Sequence, residues 1–305
     1  VISVKKDIGT GTSEESYLVY HDFTLMEAYH ENTAAAEKYV DALNAFANMF
    51  DSKVNMYSII APTQLEFQDE MYSSLESSQK STIDMINGKL SDRYTAVDVY
   101  SALREHMSEY IYFRTDHHWT TDGAYEAFKY ASQELGFDPS KAKFKEYPVT
   151  DKFSGTLESK SGFNVKDDII NVFVPQDESD ITYLVENVSS SKKSASVFDP
   201  DKLETSDKYA VFFGGNYPLL HITTMAGTGK KLLVFKDSYA NSFVPFLIPY
   251  YSEIFMVDPR YYTDDVYSLI SENGIDQILF LYNANTFAED SSIEDVLQAQ
   301  ETAAE

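Results

Sequence analysis

The chain has 305 residues, enough for one large or two ordinary domains, and its 43% hydrophobic and 14% aromatic content is ample for a packed core. Lys and Arg number 24 against 49 Asp and Glu, a formal charge of −25; such a field repels polyanions and disfavours nucleic acid or an anionic membrane surface as a partner. There is no cysteine, which excludes disulfides, thiolate nucleophiles and sulfur-ligated metals and leaves oxygen and imidazole to carry any chemistry.

Residues 1–32 mix Gly9 and Gly11 with Ser, Tyr and His, show no sustained period, and are predicted to form an irregular lead-in. From Thr33 the pattern turns helical, with Val40, Leu43, Ala47 and Phe50 at three- and four-residue spacing. Residues 53–61 read as a buried strand stopped by Pro62, 74–90 as a helix closed by Asn87-Gly88, 95–97 as a short strand and 99–107 as a helix. Thr120 or Thr121 can cap a further helix that carries Ala124, Phe128, Ala131 and Leu135 on one face and ends at Gly136. Between about 138 and 207 the texture becomes polar, with apolar stretches only at 169–174 and 181–185; this is expected to be a strand-rich insertion rather than a separate domain. Alternation resumes at 209–213. A Gly214-Gly215-Asn216 turn, a strand at 231–235, a helix within 241–250, a strand at 253–257, a helix at 264–273 and a strand at 277–282 follow, then a polar, partly helical tail over 291–305. Strands alternating with helices argue for an α/β domain over 33–290 with a parallel sheet, whose ligands would bind beyond the C-terminal strand ends. No run of about 18 apolar residues occurs. The sequence opens at Val1 with neither an initiator Met nor a signal peptide, which suggests an extracytoplasmic protein, secreted or membrane-anchored through a removed N-terminal segment.

Two stretches concentrate chemistry. Phe113-Arg114-Thr115-Asp116-His117-His118-Trp119-Thr120 sets an acid beside two imidazoles and the chain's single Trp. An Asp two positions before a His can hold that ring in one tautomer, so that it takes a proton from a hydroxyl elsewhere. This spacing makes His118 the base and leaves His117 as a structural residue or a substrate contact; Trp119 is a packing anchor or a sugar platform. The partner hydroxyl is Ser238, in Lys231-Leu-Leu-Val-Phe-Lys-Asp-Ser238-Tyr-Ala-Asn241, where an apolar run ends in a polar turn before an amphipathic segment.

Thr115-Asp116-His117-His118-Trp119-Thr120 together with Lys236-Asp237-Ser238-Tyr239 resembles the bacterial family named for its Asp-His-His-Trp motif. That family looks like a branch of the SGNH-hydrolase-like proteins that include the alginate O-acetyltransferases. The resemblance spans about residues 61–282. It implies a three-layer, parallel-sheet SGNH-hydrolase-like (flavodoxin-like) fold and a triad of Asp116 as acid, His118 as base and Ser238 as nucleophile. The order acid, base, serine is the reverse of ordinary SGNH esterases, as if the fold were permuted. Lys236 stands where the related Gly-Asp-Ser block has Gly. Gly215 and Asn216 are candidates for a second oxyanion donor, or simply form a turn. Arg260 and Tyr261 could line the same edge, or Arg260 could pair with Asp258 or Asp264. The implied activity is O-acetyl transfer to, or acetyl ester hydrolysis on, a cell-surface or secreted polysaccharide, without metal or cofactor and with a membrane-bound acetyl-donor protein as a partner.

Two other readings compete. Asp-His-His also marks metal-dependent phosphoesterases, but such sites need further carboxylate or imidazole ligands, and the chain has only 6 His. A catalytically silent carbohydrate-binding relative would stack its Trp and some of its 23 Tyr on sugars.

Overall fold

The computed structural model describes residues 2–7, 13–51, 53–68, 77–177 and 180–298. The segment expected to be irregular folds instead as a three-stranded antiparallel sheet, β1 (Ile2–Asp7), β2 (Ser13–His21) and β3 (Thr24–Glu27). Its second hairpin turns on Asp22 and Phe23, with φ of 45° and 60°. Both central residues of this tight turn type adopt positive φ, and it is normally announced by Asn-Gly or Asp-Gly, so Asp-Phe gives little warning of it. Gly9 and Gly11 lie outside the described residues.

Helix α1 (Thr33–Asn48) starts where Asn32 Oδ1 accepts the Ala35 N–H at 3.1 Å, and it buries Ala36, Tyr39, Val40, Leu43, Phe46 and Ala47. Phe46 meets Phe235 and Phe280 edge-on, which seats this helix on the main sheet. Strand β4 (Asn55–Ala61) is buried from Met56 onward; α2 (Gln79–Lys89), β5 (Tyr94–Ala96) and α3 (Val99–Glu105) follow. The first residues of the predicted 74–90 helix, 74–76, lie outside the described residues. Helix α4 (Thr121–Glu134) is capped by Thr120, whose Oγ1 accepts the Gly123 N–H at 3.2 Å.

The 138–207 region contributes to two sheets. β6 (Lys143–Phe153) and β7 (Asp168–Gln176) form their own antiparallel pair, with the short helix α5 (Thr156–Ser161) between them. β8 (Tyr183–Asn187) and β9 (Lys192–Ser194) extend the main sheet. Residues 208–211 form a 3-10 turn, not the start of a strand. Then come β10 (Leu219–Thr224), β11 (Lys231–Lys236), α6 (Ala240–Phe243), β12 (Glu253–Val257), α7 (Val266–Asn273), β13 (Gln277–Asn283), α8 (Thr286–Glu289) and α9 (Ser292–Gln298).

The main sheet runs β5-β4-β13-β11-β12-β10-β8-β9. Its first five strands are parallel, but β10 pairs antiparallel with both β12 and β8, so the sheet is mixed rather than all-parallel. The physical reason is chain length. A parallel return needs a crossover of about a dozen residues or more, whereas residues 225–230 join β10 to β11 directly and the chain must reverse. The tail is also less polar than expected: α9 lays Ile293, Val296 and Leu297 into the core beside α1, and 299–305 lie outside the described residues. No described helix is long and apolar enough to cross a membrane.

Candidate active site

Ser238 stands on the turn between β11 and α6, at the C-terminal edge of the parallel strands. Five of the six β11 residues are buried, and the turn is pinned by the side chain of Asp237. Asp237 Oδ1 accepts the Tyr239 N–H at 2.8 Å. Its Oδ2 accepts the Asn283 N–H at 2.8 Å, Asn283 Nδ2 at 2.6 Å and the Thr286 hydroxyl at 2.6 Å. The elbow is thereby tied to the end of β13. Ser238 is partly exposed, and among the described residues its N–H has no acceptor.

Asp116 and His118 come from a loop that closes on itself outside the sheet. The Thr120 N–H donates to Ile111 O at 2.9 Å and the Phe113 N–H to His118 O at 3.3 Å. Buried Asp168, at the start of β7, takes the Arg114 N–H at 3.0 Å, the Thr115 N–H at 2.7 Å, the Thr115 hydroxyl at 2.6 Å and the Tyr110 hydroxyl at 2.5 Å. Asp116 receives four hydrogen bonds. His118 supplies its N–H at 3.1 Å and Nδ1 at 2.6 Å to Oδ1, and Thr156 its N–H at 2.9 Å and hydroxyl at 3.0 Å to Oδ2. Gly155 makes the approach possible, because a Cβ there would overlap Asp116 Cβ and lie 2.7 Å from Thr115 O.

The loop and the elbow meet at His118 Nε2, 2.6 Å from Ser238 Oγ. Asp116 can only accept, so Nδ1 carries the ring proton and the Nε2 lone pair faces the serine hydroxyl. The imidazole is held between two rings: Tyr209 stacks on it at 3.8 Å and 12°, and His117 lies at 3.9 Å and 36°. The Tyr209 hydroxyl donates at 3.1 Å to either Ser238 O or Ser242 Oγ, tying the base's platform to the elbow. Burial pushes the His118 pKa down and the field of His117 adds to this, against the opposing pull of Asp116. For Asp116, burial pushes up, but the two imidazoles and the hydrogen bonds from His118 and Thr156 outweigh it and hold the carboxyl far below the usual carboxylate range.

The weaker candidates divide. Trp119 is fully buried, its Nε1 3.0 Å from both Tyr239 O and Ser242 Oγ; it anchors the loop to the elbow and cannot serve as a sugar platform. His117 is partly exposed and hydrogen-bonds the Thr156 hydroxyl through Nδ1 at 2.9 Å. The N–H of Gly215, a residue with φ +120°, is used inside its own turn, donating to Phe212 O at 3.2 Å. Asn216 Oδ1 accepts from Lys236 Nζ at 2.8 Å and Asn241 Nδ2 at 3.0 Å; among the described residues its NH₂ has no acceptor. Arg260 forms a two-pronged pair with buried Asp258, at 2.8 and 2.6 Å, and exposed Tyr261 lies beneath its guanidinium. Thr156, Gly155, Asp168 and Tyr209 were not picked out from the sequence; each acts across a long stretch of chain, and the only local cue was an acid opening the apolar run at 169–174. Asp237, beside Ser238, carried no assigned role, and its ties to Asn283 and Thr286 are long-range.

Asp116, His117 and His118 form the one group among the described residues whose ligand atoms lie close enough together, within 4.8 Å, to hold a cation. Both ring nitrogens of His118 are already engaged, so an ion bound through that ring would displace either Asp116 or Ser238 from it.

The profile of the DHHW protein family matches residues 1–257. The chain belongs to the DHHW family. Among solved structures it is similar to a DHHW family protein from Eubacterium siraeum, with 26% identity, a TM-score of 0.78 and 98% of each chain covered. It shares its fold with Bacillus cereus PatB1, in a structure with a sulfonyl adduct, at 19% identity and TM-score 0.75 over 91% of this chain and 99% of that one. It also shares the fold of the O-acetyltransferase domain of Pseudomonas putida AlgJ, at 11% identity and TM-score 0.54 over 93% and 99%. No curated protein matches the sequence. The DHHW chain is thus a mixed α/β protein that shares its fold with these solved structures.

Proposed function

We propose that this DHHW protein is a serine-dependent O-acetyltransferase or acetylesterase acting on a cell-surface or secreted polysaccharide, outside the cytoplasm. The observation that carries the reading is the continuous hydrogen-bond chain from Asp116 through both nitrogens of His118 to Ser238, with 2.6 Å at each link to the ring. Ser238 Oγ attacks the acetyl carbonyl carbon as His118 Nε2 takes its proton. The oxyanion is met by the Ser238 N–H and by the Asn216 NH₂. Collapse expels the donor oxygen, which leaves with the proton from His118, and acetyl-Ser238 remains. A sugar hydroxyl or water then gives its proton to His118 as it attacks the acetyl carbon, and His118 returns that proton to Ser238 Oγ as the acetyl–serine bond breaks. Asp116 keeps the tautomer and stabilises the imidazolium. His117, Arg260 and Tyr261 would contact the glycan at the rim, and a membrane-bound acetyl donor would deliver the group. The fold shared with an O-acetyltransferase domain and with a protein carrying a sulfonyl adduct supports this.

The test is acetate release from 4-nitrophenyl acetate and from an acetylated glycan. Ser238→Ala and His118→Ala should each slow the protein by ~10³-fold or more, and together by no more than either alone, since triad members act as a unit. EDTA should leave the rate unchanged. Wild type no faster than either variant would favour a silent binding protein, and loss of activity on chelation would favour a metal hydrolase.

A further inference from the structure

Lys236 ends a strand that otherwise reads Lys-Leu-Leu-Val-Phe, yet its side chain is only 1% exposed. Burying an ammonium group is costly unless its hydrogen bonds have a use. Neutralising Asp258 does not explain the burial, because Arg260 already pairs with that carboxylate through two nitrogens at 2.8 and 2.6 Å, whereas Lys236 Nζ stands 3.3 Å from it. The shorter contact of Lys236 is to Asn216 Oδ1, at 2.8 Å.

A carboxamide has two ends of nearly the same shape, one a donor and one an acceptor, and its neighbours decide which way it points. Asn241 is the other neighbour, at 3.0 Å, but it is itself an amide that could offer Asn216 either end. The ammonium can only donate. Asn216 must therefore turn its oxygen to Lys236, and its NH₂ points away from it. Lys236 and Asn241 are both buried, Lys236 two residues before Ser238 and Asn241 three after it, with the Asn241 N–H on Ser238 O at 3.2 Å. Asn216 and Ser238 are both partly exposed. The oxygen end is thus held by two buried groups that flank Ser238 in sequence, and the NH₂ end is the one left uncommitted.

We infer that Lys236 is a positioning residue: its buried ammonium fixes the Asn216 carboxamide so that a donor, not an acceptor, is presented beside Ser238. The inference rests on the reading of Ser238 as nucleophile and assigns the second oxyanion donor to Asn216, the residue that keeps a donor uncommitted where Gly215 does not. It also gives a reason for Lys at a position where the related block has Gly. With Lys236 removed, no donor-only group holds the Asn216 oxygen, and the carboxamide is free to turn an oxygen lone pair toward the developing oxyanion.

The experiment measures kcat and KM on 4-nitrophenyl acetate for wild type, Ser238→Ala, Asn216→Ala, Asn216→Asp, Lys236→Met, Lys236→Gln and the Lys236→Met/Asn216→Ala double variant, with thermal melts on each. Asn216→Ala should lose ~10²-fold in kcat, the scale of one oxyanion donor, and Asn216→Asp as much although it can still pair with Lys236. Lys236→Met should lose ~10-fold or more in kcat with KM little changed, as expected for an interaction made only in the transition state. Lys236→Gln, an amide that can offer Asn216 either end, should keep most of that loss and covers the case in which Met does not fold. The double variant should be no slower than Asn216→Ala, because Lys236 acts through Asn216. Multiplying losses in the double variant, or an active Asn216→Asp, would overturn the inference while leaving the triad standing. Wild type and Ser238→Ala equally slow would instead remove the nucleophile reading, and this inference with it.

Discussion

Ser238 is held by the sheet, whereas Asp116 and His118 are held by a loop that leaves the sheet altogether. The serine side rests on β11, buried between β13 and β12, and Asp237 ties its turn to Asn283 at the end of β13 and to Thr286 just beyond it. The acid and base side has no strand beneath it. Its geometry comes from side chains of the inserted region: Thr156 on Asp116, and Asp168 on the backbone of Arg114 and Thr115. One half is therefore rigid because it is apolar and paired in register, the other because nearly every polar atom of a short loop is claimed. The halves touch at His118 Nε2 and Ser238 Oγ and are clamped beside that contact by Trp119 and Tyr209.

This contrast can be broken from the insertion side without substituting a triad residue. Gly155→Ala adds a methyl that would overlap Asp116 Cβ and sit 2.7 Å from both Asp116 Oδ2 and Thr115 O. The loop must move while β11 and the elbow stay, so kcat should fall ~10²-fold, the scale of about 1 Å of misplacement. Overpacking should cost ~1–3 kcal/mol in a denaturant melt. Unchanged kcat would mean that the inserted region does not set the base.

A smaller effect sharpens the same comparison through pH. His118 must be neutral to accept the serine proton, so activity falls as pH drops through its pKa. Burial and then His117 lower that pKa, so the acid limb of kcat/KM should lie below ~6.5, the value of an unperturbed imidazole. His117→Gln removes the neighbouring imidazole and should move the limb upward, toward that value. A limb above ~6.5 in wild type would contradict the burial of the base.

Both chemical stretches were legible because each is contiguous: Asp116 lies two residues from His118, and Ser238 directly follows an apolar run. The parallel strands from β4 to β13 were legible for the same reason, as short apolar runs between turn signals. Three features were hidden by tertiary geometry. Strand β10 itself was not expected at Leu219–Thr224, and its direction depends on how short its link to β11 is. The hairpin from β2 to β3 turns on an Asp-Phe pair. Thr156, Gly155 and Tyr209 acquire their meaning only when the chain brings them to Asp116 and His118. Trp119 was ambiguous because aromatic rings serve cores and sugars alike, and burial decided it.

The central claim is that Ser238 forms a covalent acetyl intermediate, and mass spectrometry of the intact protein and its peptides after brief exposure to 4-nitrophenyl acetate tests it most directly. The account predicts one acetyl group per chain on the peptide that contains Ser238, lost on longer incubation with water or a glycan acceptor and missing from Ser238→Ala. An acetyl-free wild type during turnover, or the same modification in Ser238→Ala, would contradict it.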